Sequence, residues 1–458
     1  MPSRFRTRCA VAAALGSSVL AVAANTHAQS TPTCASLNAT DSGTVLYGAG
    51  GTAQQQLIGA VATQLAAVSP PVHVVYFSEN ACTGYENFLD ATSTTASTKP
   101  FYWTADGVAH NCSIPAEQAF TFAVMGNSPA LCSGLGDGGT SSVGTFLGPA
   151  QPLDFVVPGS AGGATASNAQ SISTEAAYYV WGFFASDAAH SVSPWTVPDD
   201  IFTRNSTSFV SAFLALDLSQ ANGVAPVPAT VVAGAALPDA GRGTQESTTQ
   251  GTVTALSQLT GNDRLAGIGL VSGETADQFR GTVNILAYQH TGQSCGYFPD
   301  STPTAFDKVN VRTGQYWLWS PVHFFAAVGD AGEIADPATA SFVGLFTGAS
   351  TAPAGVNVFS AEVQGAYTVP QCAMQAWRDG DLTPPYSYAP PDPCTCKFDV
   401  ATNNTATRAT SCQTCSQDSD CSTGHCRNIG PAVGVISADG GVSSSDAGAA
   451  QVGYCEVY

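Results

Sequence analysis

Two short runs carry the residue types most able to do chemistry, and in each of them small or hydroxyl residues lead into an apolar helical pattern. The first is Leu46-Tyr-Gly-Ala-Gly-Gly-Thr-Ala53, which follows a β-rich run and opens a helix. Glycines allow a tight turn and leave backbone amides uncovered. The first turn of a helix adds N–H groups that have no partner within the helix, and together these suit an oxyanion. The candidate donors are Gly51, Thr52 and Ala53, with the Thr52 hydroxyl. The run is neither a dinucleotide fingerprint nor a P-loop, since it contains neither G-x-G-x-x-G nor G-K-[ST]. The second run, Ile201-Phe-Thr-Arg-Asn-Ser-Thr-Ser-Phe209, sets Arg204 beside Ser206, Thr207 and Ser208 at another helix start. A guanidinium fork with hydroxyls and helix amides is what phosphate or sulfate recognition needs. A competing run, Gly241-Arg-Gly-Thr-Gln-Glu-Ser247, leads into a polar Thr/Gln stretch and is read as a surface loop.

One metal-site pattern is missing: no histidine pair forms H-E-x-x-H. His290 and His323 are read as structural, and the chain as a binding protein that needs no cofactor.

The cysteines divide by compartment and spacing. A basic stretch at Arg4, Arg6 and Arg8, an uncharged run from Cys9 to Ala24 and the small-residue site Thr26-His27-Ala28 read as a secretory leader over residues 1–28. The mature chain is then expected in the periplasm or outside the cell, where cysteines form disulfides. Of 14 cysteines, one falls in the leader, leaving 13, so one stays unpaired or pairs between chains. Cys112 and Cys132 are expected to pair with each other, and Cys34–Cys82 and Cys295–Cys372 are the further guesses. Near the C-terminus the spacing is C-x-C-x15-C-x2-C-x5-C-x4-C-x28-C. Cys412, Cys415, Cys421 and Cys426 match zinc spacing, but outside the cytoplasm they are read as disulfide partners, and no metal is expected.

Loss of the leader removes three arginines and no acids, leaving 11 Lys and Arg against 33 Asp and Glu, a net charge of −22. Nucleic acid and anionic membranes reward the opposite sign and are excluded as bulk partners. An anion can still be held by local dipoles and one placed cation.

The elements that must position these runs alternate in type. Strands are expected at Gly43–Tyr47, Val72–Phe77, Asp154–Pro158, Leu265–Val271 and Val283–Tyr288. Helices are expected at Gln54–Leu65, from Tyr85 onward, at Thr174–Phe184 and at Phe209–Leu218. This alternation predicts an α/β fold with mixed sheets over residues 41–388. The proline-rich exit Ser387–Pro393 leads to a small Cys-rich tail, residues 394–458, containing a Gly/Ala/Ser/Val-rich insert at 430–451 that is read as flexible.

Taken in order, several segments resemble the phosphate-binding periplasmic proteins of bacterial uptake systems, in a divergent Cys-containing branch. They are Gly48-Ala-Gly-Gly-Thr-Ala53, Asn80-Ala-Cys-Thr-Gly84, Gly126-Asn-Ser-Pro-Ala-Leu-Cys132, Phe155-Val-Val-Pro158, Ser193-Pro-Trp-Thr196, Arg204-Asn-Ser-Thr-Ser208, Ala266-Gly-Ile-Gly-Leu-Val-Ser272, Phe306-Asp-Lys-Val-Asn-Val-Arg312 and Tyr316-Trp-Leu-Trp319. The resemblance implies a two-lobed solute-binding fold of type 2, with residues 151–282 as the approximate second lobe. It implies an oxyanion in the cleft and a membrane transporter or surface partner. Thr83 and Ser128 join the candidate ligand set on this ground. Three departures stand out. Gly126-Asn-Ser128 is followed by Pro129 where the family has an acceptor Asp. The second loop has become Ala81-Cys-Thr83, with Cys82 available for a disulfide. Phe209 replaces a Gly-Thr pair and crowds the cleft. Without the acceptor a site does not favour a protonated oxyanion over a fully ionised one. The alternative reading is a secreted interaction protein whose pocket has degenerated and whose tail meets the partner.

Overall fold

A computed structural model of the chain describes residues 32–39, 41–90, 100–115, 118–132, 142–220, 227–233, 243–402, 412–422, 426–428, 435–436, 442–443 and 453–456. The expected leader and most of the 430–451 insert lie outside these residues. Two short segments of the insert, Val435–Ile436 and Val442–Ser443, pair antiparallel.

The strands of the body are β1 (Thr44–Gly51), β2 (Val72–Glu79), β3 (Phe101–Trp103), β4 (Ala109–Asn111), β5 (Phe122–Met125), β6 (Val143–Pro158), β7 (Ser171–Ser173), β8 (Phe202–Arg204), β9 (Thr244–Glu246), β10 (Gly269–Ser272), β11 (Val283–Ile285), β12 (Ala287–Gln289) and β13 (Trp319–Ala327). Between them run α1 (Gln55–Leu65), α2 (Ala81–Leu89), α3 (Thr174–Phe183), α4 (Phe209–Ser219), α5 (Ala229–Val232), α6 (Thr249–Gln258), α7 (Asp263–Ala266), α8 (Gly273–Gln278) and α9 (Val309–Arg312). After β13 come α10 (Pro337–Thr347), α11 (Val358–Ser360) and α12 (Thr395–Ala401). The α/β class, the mixed sheet and the disulfide-rich C-terminal module are as the sequence predicts.

The main sheet runs β10-β6-β13-β5-β1-β2-β3-β4, with β11 also on β6. β1 lies parallel to β2 and β5, whereas β13 lies antiparallel to β5 and β6. β6 organises the whole. Its 16 residues pair with β13 as far as Pro152, and from Leu153 onward with β10 and β11. From Gly148 to Pro158 every residue of β6 is buried, as a strand covered on both faces must be.

Four sequence expectations shift. The strand expected at Leu265–Val271 starts later, because Asp263–Ala266 form α7 and β10 begins at Gly269. The glycines after Tyr47 do not form a turn but continue β1 to Gly51. Close packing is the reason: a Cβ on Gly48 would fall 2.1 Å from the Phe122 ring, and one on Gly50 would fall 2.1 Å from the Val124 carbonyl oxygen. The helix expected from Tyr85 starts at Ala81, so Cys82, Thr83 and Gly84 are helical rather than a turn. The run Val283–Tyr288 is two strands in different sheets, parted at Leu286, with β12 pairing β7.

The disulfides are Cys34–Cys112, Cys82–Cys132, Cys372–Cys394, Cys396–Cys412, Cys415–Cys426 and Cys421–Cys455, and Cys295 is free and exposed. The expected pairs Cys112–Cys132, Cys34–Cys82 and Cys295–Cys372 are therefore corrected. Nearness along the chain does not decide the pairing: Cys82 lies in α2 and Cys132 follows the Pro129–Leu131 turn, while Cys112 faces the N-terminal segment at Cys34. In the tail the sulfurs of Cys415, Cys421 and Cys426 lie within 4.8 Å of one another. All three are bonded in disulfides, and a disulfide sulfur offers no thiolate to zinc. Among the described residues no helix is long and apolar enough to cross a membrane.

Candidate functional site

The fold draws four chain segments to one point. β1 ends at Gly51 in extended conformation and passes into a single 3-10 turn, Thr52–Gln54, before α1. α2 begins after Asn80, whose side chain does not cap it. β8 delivers Arg204, and the following turn leads into α4, where the Ser208 hydroxyl accepts from the Ser211 amide at 3.2 Å. α4 is anchored because nine of its eleven residues are buried, including Phe213, Leu214 and Leu218. Burial of each such side chain contributes about 1.5–3 kcal/mol. α6 brings Thr249.

These segments line one small pocket: Gly51, Thr52 and Ala53 from the first run, Asn80 and Ala81 from α2, and Arg204 and Ser208 from the second run, with Phe209, Val210 and Thr249 completing the wall. Its volume is about 10 Å³, room for about one water. Helix starts converging on one point give it a positive potential from backbone dipoles alone.

Arg204 is 2% exposed. Its Nη1 donates to the Glu246 carbonyl at 3.0 Å, while its Nε has no hydrogen-bond partner. Burial lowers the guanidinium pKa to about 10, against the raising influence of Glu246, so the group stays charged at neutral pH. A buried charged donor without an acceptor is costly and calls for an explanation. The run Gly243–Ser247, expected as a surface loop, supplies part of this setting. Its Thr244–Glu246 form β9, parallel to β8, with Arg204 opposite Glu246. Gly241 and Arg242 lie outside the described residues.

The remaining sequence candidates are elsewhere. Thr83 and Ser206 do not line the pocket. Thr207 gives its carbonyl to the Cys82 amide at 3.1 Å and its hydroxyl to Asn205 Oδ1 at 3.1 Å, which fastens the two loops together. Ser128 donates its amide to Asp381 Oδ2 at 2.6 Å, and Asp381 Oδ1 accepts from the Ser320 hydroxyl at 3.0 Å. A carboxylate of the chain itself thus occupies the Ser128 amide. Phe209 presses on Gly126, where a Cβ would lie 2.5 Å from the ring. Asn80, Thr249 and Asp381 were not singled out from the sequence. Asn80 had a usable signal, standing immediately before a helix start. Asp381 had none, being 253 residues from Ser128.

His290 stacks on Trp317 with ring centroids 4.1 Å apart, and its Nδ1 lies 3.2 Å from Asp217 Oδ1. His323 lies 3.5 Å from Asp381. Neither lines the pocket.

No protein-family model matches the chain, and no curated protein matches it in sequence. Among solved structures, the chain is similar to an ABC-type phosphate transport receptor from Vibrio cholerae at 12% identity, covering 66% of this chain and 92% of that one, with a TM-score of 0.39. It is similar to the high-affinity periplasmic phosphate-binding protein PfluDING at 13% identity, covering 71% and 90%, with a TM-score of 0.45. It is similar also to a phosphate-binding protein from Stenotrophomonas maltophilia at 14% identity, covering 71% and 90%, with a TM-score of 0.42.

Proposed function

We propose that this chain is an exported solute-binding protein that holds a small oxyanion between two lobes. The observation that carries the reading is Arg204: a buried, charged guanidinium with an unpartnered Nε, lining the pocket where helix starts converge. Only an acceptor, above all an anionic one, satisfies that donor set. The lobes are taken to meet along β6, where the strand changes partners between Pro152 and Leu153, with residues 151–282 as the approximate second lobe. The pocket at about 10 Å³ is too small for a tetrahedral oxyanion, so binding on this reading requires the lobes to part and Phe209 to move. Phosphate, sulfate and their analogues are the candidate ligands, and a membrane transporter is the candidate partner.

Pocket size also favours a second reading. With Phe209 seated on Gly126 and Asp381 on the Ser128 amide, the cleft is filled by the chain itself. A secreted interaction protein that retains the scaffold would look this way.

Calorimetric titration of the purified protein with phosphate and then sulfate separates the two. The first reading expects a Kd of ~1 μM or tighter, about −8 kcal/mol. It also expects Arg204→Ala to weaken binding at least ~30-fold, in keeping with loss of a charged hydrogen bond. Absence of heat with both anions rejects it in favour of the second.

A further inference from the structure

A second concavity lies where the proline-rich exit crosses the body, and it differs from the first in size and charge. Its volume is about 430 Å³, within the ~300–1,000 Å³ range of small-molecule sites. Phe346, Phe359 and Tyr388 contribute aromatic surface, and among the described residues that line it there is no Lys, Arg or His but two acids, Glu362 and Asp392. The Cys372–Cys394 disulfide holds the exit segment over it.

Glu362 is 4% exposed, and its carboxyl accepts no hydrogen bond among the described residues. Burial holds that carboxyl well above the ordinary range, against the lowering influence of Lys397, so an arriving cation forms the pair by drawing the proton off it. Lys397 does not line the pocket; its Nζ lies 4.2 Å from the centroid of the Phe359 ring. The C-terminal turn of α10, Leu345–Gly348, also lines the pocket, and its last turn carries no basic residue. The negative end of the helix dipole is therefore left uncompensated there. A buried carboxyl without a donor, aromatic rings and a helix C-terminus all reward the same occupant, a cation with apolar bulk.

We infer that this pocket binds a small organic ammonium compound, with the nitrogen paired to Glu362 and the apolar part against the aromatic rings. The site shares no lining residue with the oxyanion pocket and stands independently of it. The acidic chain, at a formal net charge of −19, further favours the approach of cations.

The test uses the full chain and three probes of one shape: benzylammonium, benzyl alcohol and benzoate, each titrated calorimetrically at neutral pH. The expected result is saturable one-to-one binding of benzylammonium, at least ~10-fold tighter than benzyl alcohol, with no binding of benzoate. Glu362→Gln keeps the shape of the side chain and is expected to weaken benzylammonium at least ~10-fold while leaving benzyl alcohol unchanged. Tyr388→Leu removes one aromatic face from the lining and is expected to weaken benzylammonium several-fold more than benzyl alcohol. This second variant keeps the test decisive if Glu362→Gln does not fold. The inference is overturned if benzylammonium does not bind at millimolar concentration, if benzyl alcohol or benzoate binds as well, or if neither substitution changes the affinity.

Discussion

Glu274 and Asp154 show how a residue's role can be hidden in composition and plain in geometry. Both are fully buried acids close to the point where β6 changes partners. Glu274 accepts from Gln151 Nε2 at 2.8 Å and is bonded to the Ser272 hydroxyl; Gln151 in turn accepts from Gln54 Nε2 at 2.6 Å. Desolvation raises Glu274 to about 8. Desolvation, with Asp277 nearby, raises Asp154 to about 7. An acid whose folded pKa exceeds its unfolded value binds a proton in the fold that the unfolded chain has released. Its contribution is therefore complete below the unfolded pKa and is lost as pH climbs to the folded one. Stability should fall between about pH 4.5 and pH 8 through Glu274, at up to about 1.4 kcal/mol per pH unit. Urea unfolding at pH 5 and pH 8 tests this, because Glu274→Gln should lessen the fall by on the order of 2 kcal/mol. An equal fall in both proteins would remove Glu274 from the account. None of this was legible in the sequence, where acids appear scattered. The place of Arg204 just ahead of a helix start was legible, because a lone arginine among hydroxyls before an apolar run is a local pattern. The crowding at Phe209 was an expectation of the resemblance, not of the residues alone.

At the scale of elements, local periodicity read the long helices well and the short strands poorly. Thr174–Phe183 and Phe209–Ser219 are where apolar spacing put them. α2 was started too late because its first turn, Ala-Cys-Thr-Gly, has turn-like composition; packing against β1 and the Cys82–Cys132 bond make it helical. Composition also gave no notice of the cluster that joins α8 to the segment before α9. Lys308, 2% exposed, lies 2.6 Å from Asp277 Oδ2 and 2.9 Å from Asp300 Oδ1, and Arg280 reaches the same two carboxylates. Removal of one partner leaves buried charge uncompensated, which costs about 3–5 kcal/mol. Lys308→Met should therefore lower the urea midpoint by that equivalent, while Lys308→Arg, retaining the charge, should lose less. Equal losses for the two variants would point to packing rather than charge.

For the whole molecule, the α/β class followed from the alternation of patterns, whereas the joining of its parts did not. β6 serves the sheet on both sides of Pro152, and a 16-residue strand interrupted by three prolines, at 149, 152 and 158, is not what strand propensity foresees. Disulfide connectivity was equally hidden, since it depends on which loops meet in space. One part of that connectivity bears on how the protein is made. Cys394 and Cys396 flank a single residue, yet the first is bonded back to Cys372 in the body and the second forward to Cys412 in the tail. A shift of two residues gives the swapped isomer, Cys372–Cys396 with Cys394–Cys412, whose loops are almost the same length as the native ones. Chain entropy therefore barely distinguishes the two. Oxidative refolding from the reduced chain should populate the swapped isomer before the native one prevails, and a thiol–disulfide isomerase should shorten its lifetime. Peptide mapping of samples quenched without reductant would find the crossed peptides early and not late. Direct appearance of native pairs alone would mean that the body folds first and selects Cys394. Maturation of this chain thus becomes a problem of choosing between neighbouring thiols, decided by the order in which body and tail acquire structure.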